Sequence, residues 1–393
     1  MKTRPFWLER IEHAWRKRPI VWLAGVRRVG KTTLSRMLPD AVYLTCDLPS
    51  TVRRLEDPEL FFRGLPKRAT VVLDEIHRLS DPTRPLKIAA DAFPGLRVLA
   101  TGSSTLAAAR RFRDTLTGRK TQLYLSPILW PECQDAFDLH DLDRRLLCGG
   151  LPEPLLAGER DAEFFAEWLD SYYARDIQEL FGIRERTGFL NLLRLMLRQS
   201  SGLADYSALS RECDLSRPTV KAHLEAMTVA CALFPVPPFA SGGRREIVRR
   251  PRIYAFDTGF VTYARGWEKI REEDRGLLWE HLVLDVLRVC TGGRDLFYWR
   301  DKSGREVDFV VQRSGRRVDA IECKINPDRL DPEPLRVFRA AYPAGSNYLI
   351  CPVADPPYDR RYGGLVMRVG SCRTLLAELS SAPTAPTARP KPS

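Results

Sequence analysis

Ile20-Val21-Trp22-Leu23-Ala24-Gly25-Val26-Arg27-Arg28-Val29-Gly30-Lys31-Thr32-Thr33 is the stretch that decides the fold. A short apolar run, Ile20–Ala24, ends at a glycine, and Gly25–Thr32 then fits the pattern G-x-x-x-x-G-K-[ST] at every specified position. A helical pattern opens at the lysine, so the context is strand, turn, helix. The glycines let backbone N–H groups curl around phosphate oxygens. Lys31 is placed to reach the β and γ phosphates and the Thr32 hydroxyl to bind magnesium, while the new helix adds its positive N-terminal end. The expected ligands are ATP and Mg2+, with Gly25, Val26, Arg27, Arg28, Val29, Gly30, Lys31, Thr32 and Thr33 around the nucleotide. A chance glycine-rich turn is the bland alternative, and the flanking strand and helix argue against it.

Further apolar runs follow at Val42–Thr45, Val71–Leu73, Val98–Ala100 and Leu123–Leu125, with helical stretches between them. Such alternation predicts a parallel sheet with helices on its faces. Thr70-Val71-Val72-Leu73-Asp74-Glu75 carries two carboxylates to the end of a buried strand. Asp74 is the expected magnesium holder, through water, and Glu75 the group that orients and polarises the attacking water. Thr101-Gly102-Ser103-Ser104 ends the next strand, and a hydroxyl there, Ser103 first, is a candidate for sensing the γ-phosphate or that water; a plain turn competes with this reading. Arg119, after Gly118, is a candidate arginine finger or sensor in a chain that has many arginines.

The chain has 393 residues, 44% of them hydrophobic and 28% charged, an ordinary globular mixture that can build its own core. Nine cysteines are scattered and never spaced as Cys-x-x-Cys, which argues against a zinc knuckle and against a disulfide framework. The apolar run at Ile20–Val26 is short for a signal core, and no run approaches the ~18 apolar residues of a membrane span. A cytoplasmic protein without a membrane partner is expected. The net charge of +12 favours phosphate-rich partners or anionic membranes, and a generally basic, arginine-rich proteome is the bland alternative.

After Pro131 the strand patterns stop, and residues from about Glu132 to Ser200 read as helices, with Phe164–Phe181 the clearest. Asp205–Phe260 has the size of a helix-turn-helix followed by a hairpin: helices Tyr206–Glu212 and Arg217–Met227, Ser216 as N-cap, strands near Leu233–Val236 and Glu246–Ala255, and a tip at Ser241-Gly242-Gly243. Arg217, Thr219, Lys221 and His223 are expected on the exposed side of the second helix, with Ala208, Leu209, Val220 and Leu224 inside. The wing Arg244–Arg252 carries five arginines in nine residues, and Arg244, Arg245, Arg249 and Arg250, with Arg217 and Lys221, are the candidate nucleic-acid contacts. Winged helices also serve as protein-contact or spacer modules.

A helix at Gly276–Val289 precedes strands at Leu296–Arg300, Glu306–Val311 and Arg317–Lys324. Glu280 lies on the helix, Asp308 lies mid-strand, and Glu322-Cys323-Lys324 ends the next strand fourteen residues later. Alternation puts Glu322 and Lys324 on one face with Cys323 opposite. If the strands pair, Asp308 and Glu322 are set to hold magnesium, Glu280 to add a metal contact, and Lys324 to orient a water or stabilise a charged transition state. This is the spacing of the PD-(D/E)xK nucleases. A surface hairpin with ordinary ion pairs, or a nuclease fold kept for binding or assembly, are the competing readings.

The whole set of motifs resembles the prokaryotic AAA-type ATPases that carry a C-terminal domain of unknown function related to restriction endonucleases. The matching pieces are Gly25–Thr33, Leu73–His77, Thr101–Ser104, Thr117–Arg119, Gly149–Pro154, Arg252–Phe260, Trp279–Glu280 and Glu306–Lys324, in the family's order. The resemblance implies an α/β chain made of a P-loop NTPase parallel sheet, a helical lid, a winged helix and a C-terminal restriction-endonuclease-like α/β domain. The expected division is 1–131 for the ATPase core, 132–202 for the lid, 203–266 for the winged helix and 267–379 for the nuclease-like unit, with 380–393 a disordered tail. The functional expectation is an ATPase controlling a DNA-directed module; the alternative is an ATP-driven switch or assembly protein whose nuclease-like domain does not cut. A small-molecule kinase is disfavoured, because Asp74-Glu75 suits water as the nucleophile. Assembly into an oligomer is compatible with the pattern, since an arginine finger can come from a neighbour.

Overall fold

Ile20–Ala24 (β1) is buried at all five positions. A strand with no polar alternation must be covered on both faces. Val21 and Leu23 pack into one apolar cluster, and Ile20, Trp22 and Ala24 into another. The remaining strands of this sheet are Val42–Thr45 (β2), Thr70–Asp74 (β3), Arg97–Thr101 (β4) and Lys120–Tyr124 (β5). All pair in parallel, in the order β2-β3-β4-β1-β5. The computed structural model describes residues 2–102, 115–157, 160–240, 250–313 and 316–380.

That order positions the site. β1 lies between β4 and β5, yet the chain leaves it for β2 at the far edge. Connections diverge there, and a crevice opens beyond the carboxyl ends of the strands. The loop after β1 lines it, and Asp74 and Thr101, which end β3 and β4, come up to the same rim. Helices Pro58–Arg63 and Thr83–Ala92 cover one face of the sheet through Phe62, Leu86 and Ala89; the helix Pro5–Trp15 covers the other through Trp7, Ile11 and Trp15.

Beyond β5 the chain is helical up to Arg198, as the sequence predicts. The one departure is the helix expected over Phe164–Phe181. It begins as an α-helix, Ala162–Tyr172, capped by Asp161, then becomes a π-helical turn, Tyr173–Gln178, and ends as a short α segment, Glu179–Phe181. Apolar periodicity cannot register the extra residue per turn that a π segment inserts.

Gly202–Leu203 (β6), Leu233–Val236 (β7) and Arg252–Ala255 (β8) form an antiparallel sheet in the order β6-β8-β7, beside the helices Tyr206–Glu212 and Arg217–Val229. Ser216 caps the second helix by accepting from Thr219 N, as expected. Leu209, Val220 and Leu224 are buried, and Ala208 is half-buried. His223 corrects the sequence reading: it is buried, 5.3 Å from the Phe189 ring, because Val220, His223, Leu224 and Met227 form one i, i+3, i+4, i+7 stripe facing the core. The hairpin tip Ser241–Gly243 and Arg244, Arg245 and Arg249 lie outside the described residues. Two of the quoted motif pieces meet here: Asp257 accepts hydrogen bonds from Gly150 N (2.6 Å) and Gly259 N (2.8 Å). A Cβ at Gly149 would sit 1.8 Å from the Asp257 carboxylate, so the approach requires glycine.

The last sheet is mixed: Leu296–Arg300 (β9), Glu306–Gln312 (β10), Val318–Cys323 (β11), Asn347–Ile350 (β12), Tyr358–Tyr362 (β13) and Leu365–Gly370 (β14), in the order β13-β14-β12-β11-β10-β9. Helices Glu272–Thr291 and Cys372–Ser380 pack on one face, and Glu333–Ala341 on the other. One apolar cluster runs from Trp7 through the helical region to Leu375, so the first and last sheets share a core. Among the described residues no helix is long and apolar enough to cross a membrane.

Candidate nucleotide site and an acidic cluster

The loop after β1 turns back on itself through two positive-φ residues, Arg28 (φ 58°) and Gly30 (φ 96°). Left-handed residues alternating with ordinary ones make successive N–H groups converge on one anion. Gly25 is held against the residue that follows β5: a Cβ there would meet Leu125 O at 2.7 Å. Lys31 Nζ donates to Gly25 O (2.8 Å) and Val26 O (3.1 Å), folding the ammonium over the loop. Burial lowers the Lys31 pKa, and Glu75, Asp176 and Asp74 offset part of that effect.

Thr32 and Asp74, forty-two residues apart, meet at 2.9 Å, the Thr32 hydroxyl donating to Asp74 Oδ2. Tyr43 also donates to Oδ2, and Thr101 donates to Oδ1. Thr101 Oγ1 in turn accepts from Glu75 N at 3.1 Å. Three hydroxyls thus fix a buried carboxylate next to the P-loop threonine. Hard oxygen donors of this kind suit Mg2+, and Thr32 and Asp74 are the residues that would hold it. The tyrosine pays in acidity: burial and the Asp74 hydrogen bond push its pKa to about 12.

Glu75 has φ 55°, a conformation costly for a side chain of its size and held here by its neighbours. Its Oε2 lies 3.1 Å from His77 Nδ1. Burial raises its pKa, but the His77 hydrogen bond and the Lys31 charge outweigh that, leaving it below the ordinary carboxylate value. It is therefore an ionised acceptor at neutral pH. Gly25–Thr33, Glu75, His77 and Gly102 line one cavity of about 620 Å3 with Lys2, Phe137, Pro152, Arg175, Asp176 and Glu179. That volume is in the range of small-molecule sites, ~300–1,000 Å3.

The side chains of Arg27 and Arg28 turn toward the helical region. Arg27 Nη1 lies 3.5 Å from Asp176 Oδ2. Arg28 lies 3.7 Å from Glu153 and 3.9 Å from Glu167, over the Phe164 ring. Ser103 lies outside the described residues. Arg119 is corrected as a sensor within its own chain. It precedes β5, whose first residue pairs with Ile20 at the start of β1, so it sits at the opposite end of the sheet from the P-loop. Asp91 holds it there at 2.6 Å. The sequence reading missed Tyr43, Thr101 as a brace rather than a sensor, His77 and Asp176. Only Thr101 and His77 lay inside quoted motifs.

In the C-terminal sheet, Phe309 pairs with Ile321, which sets Asp308 opposite Glu322. A register shift between Val307 and Val310 bends β10 at Asp308. Asp308 Oδ2 accepts from Cys323 N at 2.8 Å. Lys324 Nζ lies 3.2 Å from Glu322 Oε2 and 3.5 Å from Asp308 Oδ2. Glu280 feels the Asp308 charge but is bonded to other partners. Its Oε2 takes a hydrogen bond from Tyr254 at 3.2 Å and lies 3.6 Å from Arg252, which also pairs with Glu306. Burial and the Asp308 charge raise the Glu280 carboxyl to about 8 and push Glu322 well above the carboxylate range. The expected three-carboxylate metal set, Glu280, Asp308 and Glu322, is therefore not assembled. Two internal cations occupy the cluster instead, and among the described residues no group of three or more His, Cys, Asp or Glu is placed to hold a metal ion. On the second of the paired helices Arg217 and Lys221 are exposed, while Arg250 is paired with Asp205 at 2.9 Å.

Comparison with known proteins adds a family. Residues 17–134 match the AAA domain family, 139–271 match a domain of unknown function (DUF8612), and 275–367 match another (DUF4143). The uncharacterized proteins Rv2008c of Mycobacterium tuberculosis (strain ATCC 25618 / H37Rv) and Mb2031c of Mycobacterium bovis are each 31% identical over 323 residues, covering 78% of this chain and 70% of theirs. Among solved structures, the Aeropyrum pernix Orc1 protein in complex with DNA covers 67% of this chain and 92% of its own at 14% identity, with a TM-score of 0.28. AMPPCP-bound DnaA from Aquifex aeolicus covers 56% and 85% at 16% identity, with a TM-score of 0.27. The family rests on the sequence matches: the chain belongs with these two mycobacterial proteins to an AAA-type ATPase family, its AAA domain holding the P-loop and its DUF4143 domain the Asp308–Glu322 pair.

Proposed function

We propose that the chain binds ATP with magnesium between the P-loop and the helical lid, hydrolyses it, and uses the cycle to control a nucleic-acid-directed module made by the winged-helix and C-terminal units. The observation that carries the first part is the brace Thr32–Asp74–Thr101–Glu75 beneath Lys31. Bound Mg2+ would supply charge neutralisation on the phosphates. Lys31 holds the terminal phosphates, the loop N–H groups cradle the rest, and Asp74 with Thr32 keeps the metal side fixed. Glu75, ionised and oriented by His77, accepts a hydrogen bond from the attacking water and takes its proton. The test is Glu75→Gln: it should bind MgATP as the parent does and stop turnover, because an amide cannot accept the proton. Hydrolysis at the parent rate would remove Glu75 from the reaction.

For the C-terminal unit, the internal cations favour the reading in which the domain holds or assembles rather than cuts. A metal entering there has to displace Lys324 from Asp308 and Glu322 and compete with Arg252 for Glu280. Mn2+ calorimetry on the full chain should show no site that Asp308→Asn abolishes; such a site would favour cutting instead.

A further inference from the structure

The π-helical turn Tyr173–Gln178 places an acid where nucleotide must enter. Asp176 lines the P-loop cavity with its carboxylate 3.5 Å from Arg27 Nη1. The helix that leads into the turn holds the same arginine from the other side, since Trp168 Nε1 donates to Arg27 O at 3.2 Å. Trp168 stacks on Tyr172 at 5.0 Å and 11°, so the grip on the loop backbone and the grip on the guanidinium belong to one rigid stretch. Glu153 and Glu167 reach Arg28 in the same manner. The lid is thus fastened to the phosphate-binding loop by anions on loop cations.

A triphosphate brings several negative charges to the ground where Asp176 stands. Carboxylate and phosphate cannot share Arg27 and Lys31 without mutual repulsion in a partly dry cavity. We infer that Asp176 is a latch displaced by nucleotide: paired with Arg27 it holds the segment Ala162–Phe181 on the empty P-loop, and the phosphates take over Arg27 and release that segment. The inference rests on the nucleotide reading of the P-loop given above. Two further observations agree with it. Burial pushes the Asp176 carboxyl up while Arg27 and Lys31 pull it back, so the carboxylate interacts with both cations that phosphate would take. The segment also has an alternative at hand, because a π turn can relax into the α-helix that flanks it on both sides. Arg175, exposed on the same turn and lining the same cavity, is carried along by any such change.

The experiment uses the full chain, a slowly hydrolysed ATP analogue with magnesium, calorimetry, and hydrogen exchange over residues 162–181. In the parent, nucleotide should raise exchange in this segment. Asp176→Asn, nearly isosteric, should show raised exchange without nucleotide and bind the analogue about ten-fold more tightly, the effect of removing one competing charge contact. Arg27→Gln should raise exchange without nucleotide in the same segment. Unchanged or weaker binding by Asp176→Asn, or exchange in the parent that falls when nucleotide is added, overturns the latch while leaving the nucleotide site standing. A parent that takes up no nucleotide overturns the site itself and the latch with it.

Discussion

Replacing Thr101 by valine removes one hydroxyl at nearly constant shape, and its cost can be worked from three contacts. Thr101 is fully buried, donates to Asp74 Oδ1, and accepts from Glu75 N at 3.1 Å. In Thr101→Val the carboxylate keeps its two donors on Oδ2, Thr32 and Tyr43, and has none from Thr101 on Oδ1. The Glu75 amide loses its acceptor at a residue already held at positive φ. A hydrogen bond to a charged group contributes ~1.5–3 kcal/mol, and an orphaned buried N–H costs ~1–3 kcal/mol. Because the two share one oxygen they do not add fully, and about 3 kcal/mol is the expected loss. Urea unfolding without nucleotide should show a lower midpoint at unchanged slope. The functional readout is separate: with one of the three hydroxyls that fix the Asp74 carboxylate gone, nucleotide affinity should fall about ten-fold in the presence of magnesium and change little in its absence. A variant within ~0.5 kcal/mol of the parent, the range of ordinary surface substitutions, would refute the brace. So would an affinity loss indifferent to magnesium.

Two further outcomes are expected. His281 is buried, with Nδ1 on Leu277 O (2.9 Å) and Nε2 on the Ser200 hydroxyl (2.7 Å), and burial lowers its pKa from 6.5 to about 4. A depressed histidine contributes stability that is present above its ordinary pKa and lost as pH falls through the folded value. Asp285, raised by burial to about 7, and Glu280, raised to about 8, titrate in the opposite sense, so the difference between parent and His281→Gln is the quantity to follow. It should narrow by ~3 kcal/mol between pH 6.5 and pH 4 in chemical denaturation, and a constant difference would mean an ordinary histidine. For nucleic acid, Arg217→Ala and Lys221→Ala should each flatten the log–log salt dependence of duplex binding by ~0.9, and Arg250→Ala by less, since Asp205 already holds that guanidinium. Unchanged slopes in the first two would take this helix out of any DNA interface.

The parallel sheet was legible because its strands are short, continuous apolar runs, and Ile20–Ala24 and Val42–Thr45 were read to the residue. The P-loop was legible because phosphate chemistry dictates both residue type and spacing. Position within the sheet was not. Arg119 resembles a sensor in a linear pattern, but strand order puts it at the amino end of β5 beside Asp91. His223 was misplaced by reading alternate residues of a helix as exposed, where the i, i+3, i+4 stripe was the governing pattern. The π turn was hidden because its apolar residues keep nearly the spacing of an α-helix, so Asp176 gave no signal. The C-terminal spacing correctly put Asp308 beside Glu322 and Lys324, but the arrival of Arg252 from another sheet depends on a contact between distant segments that spacing does not encode.

The most direct test of the central claim is calorimetric titration of the full chain with a slowly hydrolysed ATP analogue, in magnesium and in chelator, comparing the parent with Lys31→Ala. The account predicts one site per chain in the parent, strengthened by magnesium, and loss of that site in Lys31→Ala, because the ammonium folded over Gly25 and Val26 is the charge that meets the phosphates. Equal affinity in parent and variant would contradict it.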